Sequence, residues 1–352
     1  MLSYEEILQI NQAHPWFFAF WAFVFGACWG SFMNVVIYRV PAGKSVVKPG
    51  SHCYACNTPI KWYDNLPILS WFILRGKARC CGAPFSVRYA LIEALTGGLY
   101  MWTWIIYHEH FMVVAILWLF IALMIGGAFV DFDTQLLPNL FTVWGLVIGF
   151  LLSFFFPELH GQSGSGDPML LEQLRSAALS ATGAVVGTGV ILWIAMLAEV
   201  ALRKEAMGFG DVLFMGCIGA FIGWKGAIFS IFGGALLGTA VVIPLMLVNS
   251  ILGTNLTPGK TSNPVDENSD NPEEATAKKA VEAEVADESQ ENAESTDAKE
   301  DGDGDEELGI GVAIPFGPWL ALGALVYLLV AREWVDNYFD SMQSLIFAPV
   351  QM

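Results

Sequence analysis

The sequence predicts an all-α polytopic membrane protein with about eight transmembrane helices and a cytoplasmic loop that contains cysteines. The 352 residues are 55% hydrophobic and only 14% charged, and they include 13 Trp and 25 Phe. Several uninterrupted apolar stretches come close to the ~20 residues that a helix needs to cross a bilayer. Helices are the expected form of these stretches, because a helix satisfies its own backbone polar groups inside lipid.

Eight apolar stretches are predicted as membrane spans. The sixth is short, and little more than Trp224 and Lys225 joins it to the seventh, which indicates a tight hairpin. The acidic N-terminal stretch MLSYEEILQINQAHP lacks the basic start of a signal peptide, so we expect the first span to be retained. The predicted spans are 16–38, 89–107, 111–130, 139–156, 177–201, 212–223, 226–249 and 314–331.

The distribution of Lys and Arg over short loops predicts the orientation in the membrane. Between the first two spans, eight basic residues are opposed by Asp64 alone; they are Arg39, Lys44, Lys48, Lys61, Arg75, Lys77, Arg79 and Arg88. This loop is therefore expected in the cytoplasm, with the N-terminus outside. Counting forward through the later spans places Asp131 and Asp211 at cytoplasmic span ends.

The net charge of -17 comes almost entirely from one segment. Residues 255–308 contain 18 Asp or Glu and four Lys, and they include no aromatic residue. Such a segment cannot bury enough apolar surface to offset its ordering entropy, so we predict a disordered cytoplasmic loop. Because the acidity is confined to this loop, it indicates nothing about a charged surface elsewhere, and we expect no nucleic-acid partner.

Four of the six cysteines lie in the predicted cytoplasmic loop. Cys53 and Cys56 form a Cys-x-x-Cys pair, and Cys80 and Cys81 are adjacent. Disulfides are disfavoured in the cytoplasm, so clustered thiolates there favour a structural zinc site. Adjacent cysteines rarely both reach one metal ion without strain, which leaves His52 or water as an alternative ligand. Unmetallated thiols and redox chemistry are the other interpretations.

Carboxylates at span ends are the candidates for chemistry. Asp131 and Asp133 close the third span, and Gly208 and Gly210 precede Asp211 at the start of the sixth. Asp211 alone is equally typical of a helix cap. Two carboxylates on one membrane face, however, can share a proton and provide one acid and one base to activate water, as an aspartic protease requires.

Five stretches, in order, resemble the type IV prepilin peptidase family of bacterial GxGD aspartic proteases. They are GACWGSFMNVVIYRVP (26–41), the cysteine loop with WYDNLPILSWFILRGKARCCGAPFSVRY (62–89), VDFDTQLLPN (130–139), MGFGD (207–211) and IPFGPWLALGAL (314–325). The family's third cysteine falls at Ala78, two residues before Cys80. A lysine that is frequent in the family is replaced by Leu213.

The resemblance implies an enzyme of the bacterial inner membrane whose active site faces the cytoplasm. Family members cleave the basic leader of type IV prepilins and type II secretion pseudopilins, and many then methylate the new amino terminus, commonly Phe, with S-adenosylmethionine. By motif position, Asp131 and Asp211 would be the catalytic pair, supported by Gly208, Gly210 and Asp133. Gly76 and Lys77 of the RGK stretch are candidates for methyl transfer, with a basic turn that touches lipid headgroups as the alternative.

The expected organisation follows from these assignments. It comprises an N-terminal segment with the first span (1–38), the cysteine loop (39–88), a peptidase core (111–254), the acidic loop (255–308) and a last span with its tail (309–352). Residues 16–110 form the expected methyltransferase region. A transporter that uses boundary carboxylates and a membrane scaffold with a zinc-stapled loop are the alternative functions. The sequence does not indicate the oligomeric state.

Overall fold

The computed structural model describes residues 4–164, 166–203, 207–252 and 315–346. Helices make up most of this part of the chain, and the long cysteine loop lies between the second and fourth of them. The described residues contain no β-strand apart from two isolated bridges in that loop. The helices are α1 (Tyr4–Ala13), α2 (Pro15–Arg39), α3 (Leu69–Leu74), α4 (Arg88–Tyr107), α5 (Phe111–Thr134), α6 (Val143–Phe155), α7 (Met169–Leu202), α8 (Phe209–Leu252), α9 (Gly317–Val326) and α10 (Arg332–Ile346). Two 3-10 turns (Trp62–Asn65 and Pro157–His160) and a π-helical turn between α9 and α10 (Tyr327–Ala331) accompany them.

The all-α polytopic fold class is confirmed. Each predicted span coincides with a helix, and five helical stretches are long and apolar enough to cross a membrane. Those five lie at Pro15–Arg39, Phe111–Thr134, Met169–Ala201, Phe209–Val248 and Gly317–Leu345. Since α4 and α6 are not among them, the count of eight spans stays a prediction. The predicted acidic loop lies outside the described residues.

Helix α8 folds back on itself at Gly223, whose φ of 73° and ψ of 178° interrupt the helix. A Cβ on Gly187 of α7 would contact both Met215 and Ala227, which precede and follow this break. Likewise, a Cβ on Gly183 would meet the backbone of Gly219 and of Gly223. The two arms of α8 therefore run in opposite directions beside α7, and the predicted hairpin of the sixth and seventh spans is present.

Glycines also allow α2 and α4 to approach closely. A Cβ on Gly26 would lie 2.8 Å from the Tyr100 side chain, and one on Gly30 would lie 2.8 Å from the backbone of Glu93. Helix α5 is the most enclosed span, with 72% of its apolar window buried. Its side chains form much of the main core, which includes Leu117, Phe120, Ile121 and Met124.

The ends of these helices bring distant parts of the sequence together. The C-terminal end of α5 meets the N-terminal end of α9, where Gly317 contacts Asp131. The N-terminal end of α8 packs there too, since Gly210 lies against Leu137 of the turn that follows α5. The start of α4 reaches the same end of α5 through Arg88 and Asp133. One end of the bundle thus carries the candidate carboxylates and adjoins the cysteine loop.

Candidate active site

Asp131 lies in the last turn of α5 and is 5% exposed. Its Oδ2 accepts a hydrogen bond of 3.0 Å from the backbone N–H of Gly317, the first residue of α9. Burial of a carboxylate is costly unless hydrogen bonds or charges compensate it, and this backbone donor provides part of that compensation. Asp131 is therefore held by a segment 186 residues away in the sequence.

Asp211 lies in the first turn of α8 and is 9% exposed. The helix already begins at Phe209, so Asp211 does not occupy the capping position before it, and the cap interpretation is wrong. Its Oδ1 is buried without a hydrogen-bond partner among the described residues. A buried acceptor left unpartnered destabilises a fold by about 1–3 kcal/mol, which is typical of a functional rather than a structural carboxylate.

The two glycines before Asp211 have different surroundings. A Cβ on Gly210 would lie 3.1 Å from Leu137, so this glycine lets α8 pack closely against the turn after α5. Gly208 has nothing within 4 Å of the corresponding position. Open space beside Gly208 is compatible with the close approach of an extended peptide, whereas Gly210 serves packing.

The charges of Asp131 and Asp211 act on each other, although the two residues come from different helices. Both carboxylates are shielded from water at the same end of the bundle, and the adjacent residues Val130 and Val212 are buried as well. Like charges in such an environment favour a state in which the pair shares one proton. The pair can then present one ionised and one protonated carboxyl group to a reactant.

Asp133 makes a different contact. Its two carboxylate oxygens accept hydrogen bonds of 2.7 and 2.6 Å from the Arg88 guanidinium, which also lies over the Phe129 ring. Arg88 begins α4, so this bidentate ion pair joins the end of the cysteine loop to the end of α5. Asp133 therefore supports the site as a structural tie beside Asp131.

The four loop cysteines converge. The Sγ atoms of Cys53, Cys56, Cys80 and Cys81 all lie within 4.8 Å of one another. The distances are 3.3 Å for Cys56–Cys80, 3.6 Å for Cys53–Cys81 and 3.9 Å for Cys80–Cys81. Four thiolates around a tetrahedral zinc ion, with Zn–S bonds of ~2.3 Å, would stand about 3.8 Å apart. The donor set therefore fits zinc, and the adjacent cysteines both reach the cluster.

Two turns of the same shape carry these cysteines. In the first, His52 pairs with Pro59, and Asn57 at φ 53° closes the turn; in the second, Lys77 pairs with Pro84, and Gly82 at φ 75° takes the equivalent place. The backbone bonds also correspond, since the N–H of Cys53 bonds Thr58 O and the N–H of Ala78 bonds Ala83 O. Cys81 in the second turn therefore corresponds to Cys56 in the first, and Ala78 corresponds to Cys53. Cys80 supplies the thiol that Ala78 lacks.

The thiols differ in acidity. Hydrogen bonding with Thr58 lowers the pKa of Cys56 to about 6. The hydrogen bond between Cys80 and Cys56 raises the pKa of Cys80 to about 12. Backbone hydrogen bonds lower the pKa of Cys53 as well. The first turn is therefore prepared to offer thiolates to a metal ion. His52, the alternative ligand, has its Nδ1 2.9 Å from Gly50 O.

Gly76 and Lys77 follow α3 in the cysteine loop. Gly76 is buried beside the Trp71 indole at φ 68°, and its N–H is already bonded to Trp71 O. It therefore has no backbone donor to offer a second molecule. Lys77 is exposed, so its ammonium is the group of the two that could contact a carboxylate of a methyl donor.

Sequence reasoning did not predict three contacts that position this site. Gly317 holds Asp131, Arg88 holds Asp133, and the buried Glu93 accepts a 2.7 Å hydrogen bond from the N–H of Ile68 in the cysteine loop. The Gly-Pro pair at the start of the last span was a signal for Gly317, because proline favours the first turn of a helix. The partners of Arg88 and Glu93 had no local signal.

Fold and site together define a polytopic helical membrane protein with a buried aspartate pair at one end of its helices. Comparison with known proteins gives the family. Residues 24–107 match the model of the bacterial peptidase A24 N-terminal domain, and residues 117–243 match that of the type IV leader peptidase family. No solved structure matches the chain.

Named relatives support the same family. The chain is 33% identical over 341 residues to the prepilin leader peptidase/N-methyltransferase of Myxococcus xanthus (strain DK1622), covering 91% of this chain and 92% of that protein. The protein of the same name from Klebsiella pneumoniae is 31% identical, over 62% of this chain and 90% of its own. A type 4 prepilin-like proteins leader peptide-processing enzyme of Escherichia coli O78:H11 is 30% identical, over 62% and 81%. The chain belongs to the type IV leader peptidase family.

Proposed function

We propose that this protein is a membrane aspartic endopeptidase that removes the leader peptide of type IV prepilins and type II secretion pseudopilins. In this proposal it then N-methylates the new N-terminal residue, commonly Phe. The observation that carries the proposal is the position of two buried carboxylates, Asp131 and Asp211, at one end of the helices, where Gly210 packs against Leu137 of the turn after Asp131. The names of the relatives agree with both activities.

The paired carboxylates supply the chemistry of peptide hydrolysis. The ionised carboxylate takes a proton from water as the water oxygen bonds to the scissile carbonyl carbon, and the protonated one gives its proton to the carbonyl oxygen. When the tetrahedral intermediate collapses, the first group passes its proton to the leaving nitrogen and the second recovers one from the diol. Both carboxyl groups return to their starting states, so the pair turns over without a covalent intermediate.

Methyl transfer is assigned to residues 16–110 with S-adenosylmethionine as the donor. When bound, the donor supplies an electrophilic methyl group for the free α-amine that cleavage exposes. In this region the exposed Lys77 is the residue that we expect to contact the donor, whereas the buried Gly76 shapes the turn before it. Glu93 and Arg88 keep the region docked against the helices.

A structural zinc ion is proposed for the four-cysteine cluster. Cys53, Cys56, Cys80 and Cys81 would hold it, and it would cross-link a loop that has little apolar core of its own. The protein is proposed to reside in the bacterial inner membrane, with the carboxylates and the cysteine loop facing the cytoplasm. The eight basic residues of the loop support this orientation.

Single replacement of each aspartate tests the peptidase proposal. In membranes supplied with a prepilin, we expect Asp131→Asn and Asp211→Asn each to lower cleavage at least about 1,000-fold, because either change removes half of the acid–base pair. Asp167→Asn serves as the control, because Asp167 forms an exposed ion pair with Arg175 and belongs to neither carboxylate site. This variant should cleave normally. Normal cleavage by both active-site variants would instead favour the transporter or scaffold interpretation.

A further inference from the structure

The contact between Gly317 and Asp131 is buried and specific. The N–H of Gly317 donates to Asp131 Oδ2 at 3.0 Å, and a Cβ on Gly317 would lie only 2.7 Å from that same oxygen. Any residue other than glycine would therefore have to displace the carboxylate. Pro318 follows at the start of α9, so the next N–H along the chain that could replace this donor is missing.

The position of Gly317 is fixed by close packing of α9 against the second arm of α8. A Cβ on Gly323 would lie 2.5 Å from Ser230 O, and one on Gly234 would lie 2.5 Å from Trp319 O. Backbones this close leave α9 little freedom to slide or tilt. The donor is thereby carried by a rigid element, so its direction toward Asp131 is set before any substrate arrives.

The two aspartates are consequently unequal. Asp131 accepts a backbone hydrogen bond, an interaction that favours an ionised carboxylate, because only an acceptor is required of it. Asp211 Oδ1 is buried and has no hydrogen-bond partner in the part of the chain that the structure describes, which favours a carboxyl group that keeps its proton and can donate it. Geometry alone thus separates an acceptor-only group from a donor.

We propose, on the basis of the peptidase function proposed above, that Gly317 is a positioning residue that holds Asp131 as the catalytic base and leaves Asp211 as the catalytic acid. Asp131 takes the proton of the attacking water as the C–O bond forms, and Asp211 protonates the carbonyl oxygen. On collapse, the C–N bond breaks, Asp131 returns its proton to the leaving amine, and Asp211 recovers one from the diol. Helix α9 thereby takes part in catalysis without touching the substrate.

Replacement of one backbone atom tests the positioning role. Glycolic acid incorporated at position 317 of the full-length protein exchanges the N–H for an ester oxygen and adds no side chain. We expect kcat for prepilin cleavage to fall roughly 10- to 100-fold, as for loss of a hydrogen bond to a charged group, with KM changed less than about twofold. The thermal unfolding temperature in detergent should match that of the control below.

The matched control is the corresponding hydroxy-acid replacement of Trp319. Its N–H lies in the same first turn of α9 but bonds only Phe316 O, at 3.0 Å. The ester at position 317 weakens Phe316 O as an acceptor, and the ester at position 319 removes the Trp319 donor to that same oxygen. Both replacements therefore loosen the same hydrogen bond at the helix start. Equal kcat values for the two ester proteins would overturn the positioning role, whereas the proposed peptidase function would still depend on the Asp→Asn variants.

A second comparison tests the assignment of base and acid. In single-turnover cleavage, we expect Asp211→Asn to retain more residual activity than Asp131→Asn, by roughly tenfold or more. An amide at position 211 can still donate a hydrogen bond to the carbonyl oxygen, but an amide at position 131 cannot accept the proton of water. Equal residual rates, or the reverse order, would overturn the assignment.

Discussion

Cys80 shows how a single side chain can complete a site from an unexpected position. The second cysteine turn has Ala78 where the first has Cys53, and the neighbouring Cys80 brings its Sγ to 3.3 Å from that of Cys56. Burial plays little part here, since three of the four thiols are exposed. The backbone of the turn therefore tolerates a ligand that has moved by two residues.

The zinc content of purified variants tests whether Cys80 supplies the thiol that Ala78 lacks. We expect about one zinc per purified wild-type chain, less than about 0.3 in Cys80→Ala, and restored binding when Ala78→Cys is added to Cys80→Ala, because four thiolates complete the tetrahedral shell. Cys28→Ser changes an exposed cysteine outside the loop and should leave the zinc content unchanged. Full zinc occupancy in Cys80→Ala would contradict the assignment of Cys80 as a ligand.

Asp133 illustrates the limit of reasoning from neighbours in sequence. Side chains two positions apart on a helix point in widely different directions. Asp133 accordingly meets Arg88, whereas Asp131 meets Gly317. The sequence predicted that both residues belong to one boundary motif, but the partners lie 45 and 186 positions away and no local pattern specifies them.

At the scale of elements, the hairpin of α8 depends on Gly223. Its φ of 73° and ψ of 178° belong to a region that residues with a side chain avoid, at a cost of about 1–3 kcal/mol. The break allows one arm to begin with Asp211 and the other to carry Ser230 and Gly234, against which α9 packs. The position of Gly317 therefore depends on this turn.

We expect Gly223→Ala to lower the free energy of unfolding in mixed micelles by about 1–3 kcal/mol, because alanine is strained at that φ and ψ. Cleavage should fall as well, since a shifted second arm would move α9 away from Asp131. Gly189→Ala is the matched control, because its Cβ would meet open space on α7. Unchanged stability in Gly223→Ala would show that the break does not require glycine.

Most elements were predictable, because apolar stretches and their glycine or proline boundaries are local properties of the sequence. The 212–223 and 226–249 stretches predicted the α8 hairpin although the residues between them are few. The continuation of the last helix through a π-helical turn into α10 was not predicted. Residues 332–346 are amphipathic rather than apolar, and hydropathy reasoning passes over such a helix.

At the scale of the whole molecule, the two ends of the helix bundle carry different connections. The cysteine loop joins α2 to α4 at the end that carries Asp131, whereas residues 108–110 join α4 to α5 at the other end. If the loop is cytoplasmic, these two connections lie on opposite sides of the membrane. The basic residues of the loop favour that arrangement.

Labelling with a membrane-impermeant thiol reagent tests the orientation. In intact spheroplasts we expect labelling of Glu109→Cys, an exposed position between α4 and α5, because that connection should face outward. Val47→Cys in the cysteine loop is the matched control, and its additional labelling over the parent protein should require permeabilised membranes. Labelling of Val47→Cys in intact spheroplasts would place the loop outside and contradict the predicted topology.

The contacts between α4 and α5 join the two segments of the chain that match the family models. The Tyr100 and Trp118 rings stack at 5.0 Å, and each side chain donates a hydrogen bond to the backbone carbonyl of the other residue. At the end that carries Asp131, Arg88 forms an ion pair with Asp133. The boundary between the two matched family models, residues 108–116, covers the connection between these helices and the first residues of α5. Two polypeptides produced by dividing the chain there would still share this interface, because the cut would lie at the opposite end of the helices from Asp131. The two segments that match the family models therefore pack as a single folded body.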